Sequence, residues 1–99
     1  MEQPIVCTLN PALMRDRLAW ANALSADALL SREPIEGGLR HRFRADDDVE
    51  RQVRELAALE SECCAFLTFE VSREADAVVL DVTGSAEAQP VIEQFLVAA

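Results

Sequence analysis

The stretch that decides the fold is residues 49–71, which read VERQVRELAALESECCAFLTFEV. In its first part, apolar residues recur at spacings of three and four, which is typical of an amphipathic helix. These residues are Val49, Val53, Leu56, Leu59, Cys63 and Phe66. From Leu67 onward, apolar and polar residues alternate, as they do in a half-buried strand. The stretch therefore predicts a helix that leads directly into a β-strand.

The segments on either side extend this pattern. The acidic run Asp46–Asp48 precedes the helix, where negative charge offsets the positive end of the helix dipole. After the strand, a turn near residues 74–77 leads to a second alternating segment, Val78–Thr83, so the two strands should form a hairpin. A last helix is predicted to begin near Ala88, because Pro90 is tolerated only in a first turn.

The first half of the chain predicts one helix and several short strands. Residues 4–9 suit a strand, and Asn10-Pro11 suits a helix start, since Asn caps helices and Pro is tolerated at their first position. Residues 29–45 look extended on both sides of a Gly-Gly turn, and Pro34 restricts the first arm to a sheet edge. The apolar stripe of the helix is predicted to contain Met14, Leu18 and Ala21, with Leu13, Trp20 and Leu24 beside it.

The predicted element order is β-α-β(β)-α-β-β-α. Alternating strands beside helices with one apolar stripe indicate a single α+β domain, residues 1–99. We expect a mostly antiparallel sheet of four or five strands, covered on one face by about three helices. A chain of 99 residues, 51% of them hydrophobic, is long enough and apolar enough to build one core.

The charge of the chain excludes several functions. The formal net charge is −9, from 18 acids and 9 bases. This balance opposes binding to nucleic acid through phosphate neutralisation and docking on anionic lipid. There is no apolar run near the roughly 18 residues that span a membrane, and no secretory signal. We therefore expect a cytoplasmic protein that binds neither nucleic acid nor membrane.

The cysteine pair Cys63-Cys64 is the first candidate site, and Cys7 is the third cysteine of the chain. In a reducing cytosol these residues should be thiols. Helical spacing places Cys63 on the apolar stripe, Cys64 one step off it, and Glu60 one turn before both. No basic residue adjoins the pair in sequence, and the nearby acids and the helix C-terminal end disfavour a thiolate. A nucleophilic or redox enzyme is therefore disfavoured.

A soft metal ion changes this argument, because it displaces the thiol proton itself. Adjacent cysteines suit a tetrahedral zinc ion poorly, but suit thiophilic ions of low coordination number such as Hg(II) or As(III). Cys7 would be a third ligand if the predicted first strand meets the end of the helix, and Glu60 would support the ligands. The alternative is a protein-interaction or self-association module, a homodimer or a complex with another protein, whose cysteines only fill the core.

The strand that carries Arg40, Arg42 and Arg44 on one face is the second candidate site. This row could contact an anionic ligand or an acidic partner, or it could be a solvated face paired with acids such as Glu33. The single histidine, His41, lies on the opposite face of the strand. We expect it to be a partly buried structural imidazole, since no partner for a ligand or acid–base role is visible in the sequence.

Residues 60–69, ESECCAFLTF, resemble the motif Glu-x-x-Cys-Cys-(Pro/Ala)-Phe-Leu-x-Phe of a group of small bacterial proteins. The motif is similar to modules associated with regulators of the mercury-resistance type. Ala65 departs from the Pro that usually follows the pair. The resemblance implies a stand-alone domain linked to heavy-metal or thiol stress, which would act through another protein. The matching positions are Glu60, Cys63, Cys64, Phe66, Leu67 and Phe69.

Overall fold

The computed structural model describes residues 11–63 and 66–94, with side chains described for 16–62 and 66–93. In this part the predicted α+β class is confirmed, with the element order α-β-β-α-β-β-α. The strand predicted at residues 4–9 lies outside the described residues. The elements are α1 (Pro11–Ala28), β1 (Leu29–Ile35), β2 (Gly38–Arg44), α2 (Asp47–Cys63), β3 (Leu67–Arg73), β4 (Ala77–Gly84) and, after a 3-10 turn at Ala86–Ala88, α3 (Gln89–Gln94).

The four strands form one antiparallel sheet in the order β1-β2-β4-β3. The two hairpins therefore meet at the β2–β4 pair, and β1 and β3 are the edges. Pro34 lies on the edge strand β1, as predicted, where it removes no hydrogen bond from the middle of the sheet. In β2, His41 pairs with Leu80, and Phe43 pairs with Val78.

One face of the sheet packs against all three helices. The inward positions of the two central strands, including His41, Phe43, Val78 and Leu80, are fully buried. Phe43, Val78 and Leu80 join a single apolar cluster with residues of every helix, so the helices lie on the same side of the sheet. The opposite face carries the arginine row. The helical members of the cluster are Ala21, Leu24 and Ala28 from α1, Val49, Val53, Leu56 and Ala57 from α2, and Ile92 from α3.

Helix α2 begins at an acidic cap, as the Asp46–Asp48 run predicts. The Oδ1 atom of Asp46 accepts hydrogen bonds from the backbone N–H groups of Asp48 at 2.8 Å and Val49 at 3.3 Å. These donors have no partner within the helix, so the cap stabilises its first turn. Further along, Glu50 accepts hydrogen bonds from Arg54 and from Arg73 of β3. The first turns of α2 are thus tied to the β3–β4 hairpin.

Two glycines make the β1–β2 turn. Gly37 has φ +81°, a conformation that residues with a Cβ atom rarely adopt. Gly38 lies so close to β4 that a Cβ atom there would overlap the Val82 carbonyl group. The side chain of Gln89 holds this end of the sheet to α3, because its Nε2 atom donates to the carbonyl oxygens of Gly37 at 2.9 Å and Gly84 at 3.1 Å.

Helix α1 uses a smaller buried face than the sequence predicts. Leu18, assigned to its apolar stripe, is 54% exposed. Ala21 and Leu24 are buried as predicted, and Ser25 and Ala28, which the prediction did not include, are buried beside them. The side chains of Leu13 and Met14 lie outside the described residues. Although α1 has 18 residues, no helix in the described part of the chain is long and apolar enough to cross a membrane.

Candidate functional site

The cysteine pair stands at the end of the segment with the clearest helical periodicity in the sequence, and helix α2 extends without interruption to Cys63. The side chain of Cys63, and Cys7 and Cys64 altogether, lie outside the described residues. The predicted meeting of Cys7 with Cys63 therefore stays a prediction. What the structure does describe is the turn of α2 that precedes the pair, and this turn is centred on Glu60.

Glu60 is a buried acid. Its residue surface is 8% exposed, which is unusual for a carboxylate unless it is paired. The Oε2 atom of Glu60 accepts a hydrogen bond from Arg17 Nη1 of α1 at 2.8 Å, and the two side chains are only 11% and 16% exposed. This ion pair joins α1 to the last turn of α2. Because it is largely removed from water, its charges are weakly screened.

Arg17 is the residue that sequence reasoning missed. Along the chain no base adjoins the cysteine pair, because Arg17 precedes Glu60 by 43 residues. The fold brings its guanidinium group to the carboxylate that lies one helical turn before Cys63. No spacing rule predicts such a pair across two helices. The only indication of this pair in the sequence is that α1 carries a base and the end of α2 is rich in acids.

A second polar contact fixes the α1–α2 interface nearer the start of α2. The indole Nε1 atom of Trp20 donates to Gln52 Oε1 at 3.1 Å, and Gln52 Nε2 donates to Asp48 Oδ2 at 2.8 Å. The single Trp of the chain is thus an interface residue. Together with the Arg17–Glu60 ion pair, the Trp20–Gln52 hydrogen bond holds α1 against α2, the helix that ends at Cys63.

The arginine row is engaged by acids of the same chain. Arg40 makes a two-pronged ion pair with Asp81, at 2.8 Å and 2.9 Å. Arg42 donates to Glu33 at 2.8 Å and Glu74 at 2.7 Å, and Arg44 to Asp27 at 3.2 Å. Arg40 donates to Asp81, and Arg42 donates to Glu33 and Glu74; these hydrogen bonds raise the pKa of both guanidinium groups. An anionic ligand would have to displace these acids.

His41 is fully buried beneath the helices, in agreement with the expectation of a structural imidazole. Its Nδ1 atom lies 3.2 Å from the carbonyl oxygen of Leu80. A carbonyl oxygen only accepts, so Nδ1 carries the proton in this contact. The contact crosses the central β2–β4 pair and links the imidazole to the sheet.

Within the described residues, no three side chains of His, Cys, Asp or Glu are grouped so that they could hold a metal ion. Comparisons of the chain with protein-family models, with curated proteins and with solved structures found no significant match to any of them.

Proposed function

We propose that this protein is a cytoplasmic binder of thiophilic metal or metalloid ions such as Hg(II) or As(III). Cys63 and Cys64 are the ligands, Cys7 is the third ligand, and Glu60 supports the site without binding the ion. The proposal rests first on donor chemistry. Adjacent thiols bind soft ions of low coordination number, and each thiol gives up its proton as its sulfur–metal bond forms.

The observation that carries the proposal is the Arg17–Glu60 ion pair, at 2.8 Å, in the turn before Cys63. An uncompensated buried carboxylate would oppose the negative charge that two thiolates bring to this end of α2. Arg17 compensates that carboxylate and also fixes the last turn of α2 against α1. A fixed turn lowers the entropy that the ligands lose when an ion binds.

The resemblance of residues 60–69 to modules associated with mercury-resistance-type regulators supports the same class of ligand. A bacterial protein of this kind would capture the ion, or report it to a partner protein, without catalysing a reaction. The net charge of −9 agrees with this role, because a cation is attracted to an acidic protein.

The experiment is a titration of the reduced protein with Hg(II) and with As(III), followed by the absorbance of the sulfur–metal bonds. Cys63→Ser, Cys64→Ser and Cys7→Ser are titrated beside the wild type. We expect tight binding of one ion per chain, lost in either variant of the pair, and weakened in Cys7→Ser. Reaction of one ion with each thiol, regardless of which cysteine is removed, would end the proposal.

A second candidate function is self-association, with cysteines that only pack. The observation that favours it is Leu30, which is 62% exposed on the edge strand β1. An edge strand that exposes an apolar residue can pair with a strand of a second chain. Sedimentation of the wild type and of Leu30→Glu separates the two functions. A dimer that the substitution dissociates supports self-association, and a monomer at every concentration excludes it.

A further inference from the structure

We propose that the outer edge of β3 is a homodimer interface. At this edge β3 of a second copy of the chain pairs antiparallel with β3 of the first, and the two four-stranded sheets become one continuous sheet. The inference uses no cysteine and is independent of metal binding. It also differs from association through Leu30, because Leu30 lies on β1, at the opposite edge of the sheet.

The two edges of the sheet differ in how well they can accept another strand. In β1 a bulge at Leu30 interrupts the register with β2, and Pro34 has no N–H group to donate. Bulges and prolines on an edge strand hinder pairing with further strands. Strand β3 has neither feature, since all seven of its residues pair with β4 in unbroken register. Of the two edges, β3 is therefore the one suited to a second chain.

The β3–β4 turn shows which residues of β3 direct their backbone groups to the outer edge. The carbonyl oxygen of Ala77 in β4 accepts a hydrogen bond from Glu74 N, so it points to the β3 side. Backbone groups alternate between the two sides of a strand, so the odd-numbered residues of β4 face β3. Their register partners are the even-numbered residues of β3. The backbone groups of Leu67 and Val71 therefore point to the outer edge.

The charges of β3 disfavour two of the three dimer registers that are centred near the middle of the strand. A two-fold axis at Glu70 would set the Glu70 carboxylates of both copies opposite each other, and like charges at opposite positions are destabilising. An axis midway between Glu70 and Ser72 would set Arg73 of each copy opposite an apolar position of the other. Neither register pairs residues of matching character.

The third register, with its axis midway between Thr68 and Glu70, is self-complementary. It places Leu67 opposite Val71 of the second copy on the helix-covered face, and Thr68 opposite Glu70 of the second copy on the other face. Val71 is a partly buried residue at the rim of the apolar cluster. A second copy would cover this rim, and burial of apolar surface favours the dimer.

The dimer should be weak and should depend on salt. One edge strand and its flanking side chains form a small contact, which is typical of weak complexes. The charge of −9 on each copy adds a repulsion that salt screens. We therefore expect sedimentation to show monomers at low protein concentration and dimers at high concentration, with a tighter dimer in 1 M NaCl.

The first test changes the charge at Thr68, which is exposed. Thr68→Glu sets a carboxylate against Glu70 of the second copy on both sides of the axis, and we expect it to weaken the dimer about five-fold. Thr68→Lys should strengthen the dimer by about the same factor. Ser72→Glu and Ser72→Lys are matched controls, because Ser72 is exposed on the same face and also lies two positions from Glu70. In this register Ser72 faces no residue of the second β3.

The controls should change the dimer constant by less than about two-fold. Equal responses at the two positions, or a response at Ser72 alone, would overturn the register and with it the inference. A wild type that stays monomeric at every concentration would overturn the inference as well. So would a dimer that Leu30→Glu dissociates, because that interface would then lie at the β1 edge.

Amide hydrogen exchange of the wild type gives a second test, which requires no variant to fold. The N–H group of Val71 should exchange more slowly as the protein concentration rises, because it becomes bonded to the second copy. The N–H group of Glu70 faces β4 and should be protected at every concentration. Protection of Val71 that does not depend on concentration would show that a segment of the same chain covers the edge, and would contradict the dimer.

Discussion

Arg17 Nη1 of α1 lies 2.8 Å from Glu60 Oε2 in the last turn of α2, and the two side chains are largely buried. This ion pair connects the helix that precedes the sheet with the helix that ends at the cysteine pair. Its partners are separated by 43 residues, so it reports on tertiary packing and not on local helix formation.

The pair should therefore contribute to stability. In a double-mutant cycle of Arg17→Gln and Glu60→Gln, measured by urea unfolding, we expect a coupling free energy of about 1–3 kcal/mol. The control cycle uses Arg51→Gln and Asp48→Asn, whose side chains are 65% and 62% exposed, so that solvent screens their attraction and the expected coupling is smaller. Equal coupling in the two cycles would contradict the buried character of the Arg17–Glu60 pair.

The Glu50 carboxylate should make stability depend on pH in the acid range. Hydrogen bonds from Arg54 and Arg73 lower the pKa of Glu50 below its ordinary value of 4.5. As the pH falls below 4.5, the Glu50 carboxylate is protonated in the unfolded chain before it is protonated in the folded chain. The free energy of unfolding therefore decreases until the pH has passed the lowered pKa. Glu50→Gln should flatten this part of the profile of stability against pH.

The measurement is urea unfolding between pH 3 and pH 7. Glu36→Gln is the control, because it removes an exposed carboxylate for which no ion pair is described. Equal slopes below pH 4.5 in the wild type and in Glu50→Gln would rule out the contribution of Glu50.

The two glycines of the first hairpin should respond differently to substitution. Gly38→Ala places a Cβ atom against the Val82 carbonyl of β4, so β2 and β4 would have to separate. We expect a loss of about 3 kcal/mol or more, seen as a large fall in the urea midpoint. Gly37→Asn should cost about 1 kcal/mol or less, because Asn tolerates a positive φ. Comparable stability of the two variants would contradict the close approach at Gly38.

The ion pair of Arg40 with Asp81 should be modest and sensitive to salt. Arg40 is 35% exposed and Asp81 19%, so solvent screens much of their attraction. We expect a coupling free energy between Arg40→Gln and Asp81→Asn that is smaller than the coupling of the Arg17–Glu60 pair in low salt, and smaller still in 1 M NaCl. A coupling that salt leaves unchanged would show that the pair is shielded from solvent on this face of the sheet.

Much of the fold is predictable because its periodicities are strong. The three- and four-residue spacing of α2 and the alternation in β3 reflect single buried faces, and the structure confirms both elements. It also confirms β4, in which the consecutive residues 77–80 are all buried. Leu18 departs from its prediction. Its hydrophobicity assigns it to the core, but it is 54% exposed, whereas the polar Ser25 of the same helix is buried.

The candidate site is predictable only in part. Its residue types follow from the sequence, because adjacent cysteines one turn after an acid are visible along the chain. The partner of that acid is not visible, since Arg17 reaches Glu60 through the packing of two helices. Of the acids that engage the arginine row, Glu33 on the neighbouring strand is anticipated from the sequence. The other acids lie on β4, on the β3–β4 turn and at the end of α1, and strand alternation does not predict them.

The central claim, that Cys63 and Cys64 bind a soft ion through sulfur alone, is tested most directly by X-ray absorption at the mercury edge. The sample is the reduced protein loaded with one equivalent of Hg(II). We predict a coordination shell of sulfur atoms only, two from the pair and a third if Cys7 binds, and loss of this shell in Cys63→Ser/Cys64→Ser. A shell that contains oxygen or nitrogen, or one that survives the double substitution, would contradict the claim.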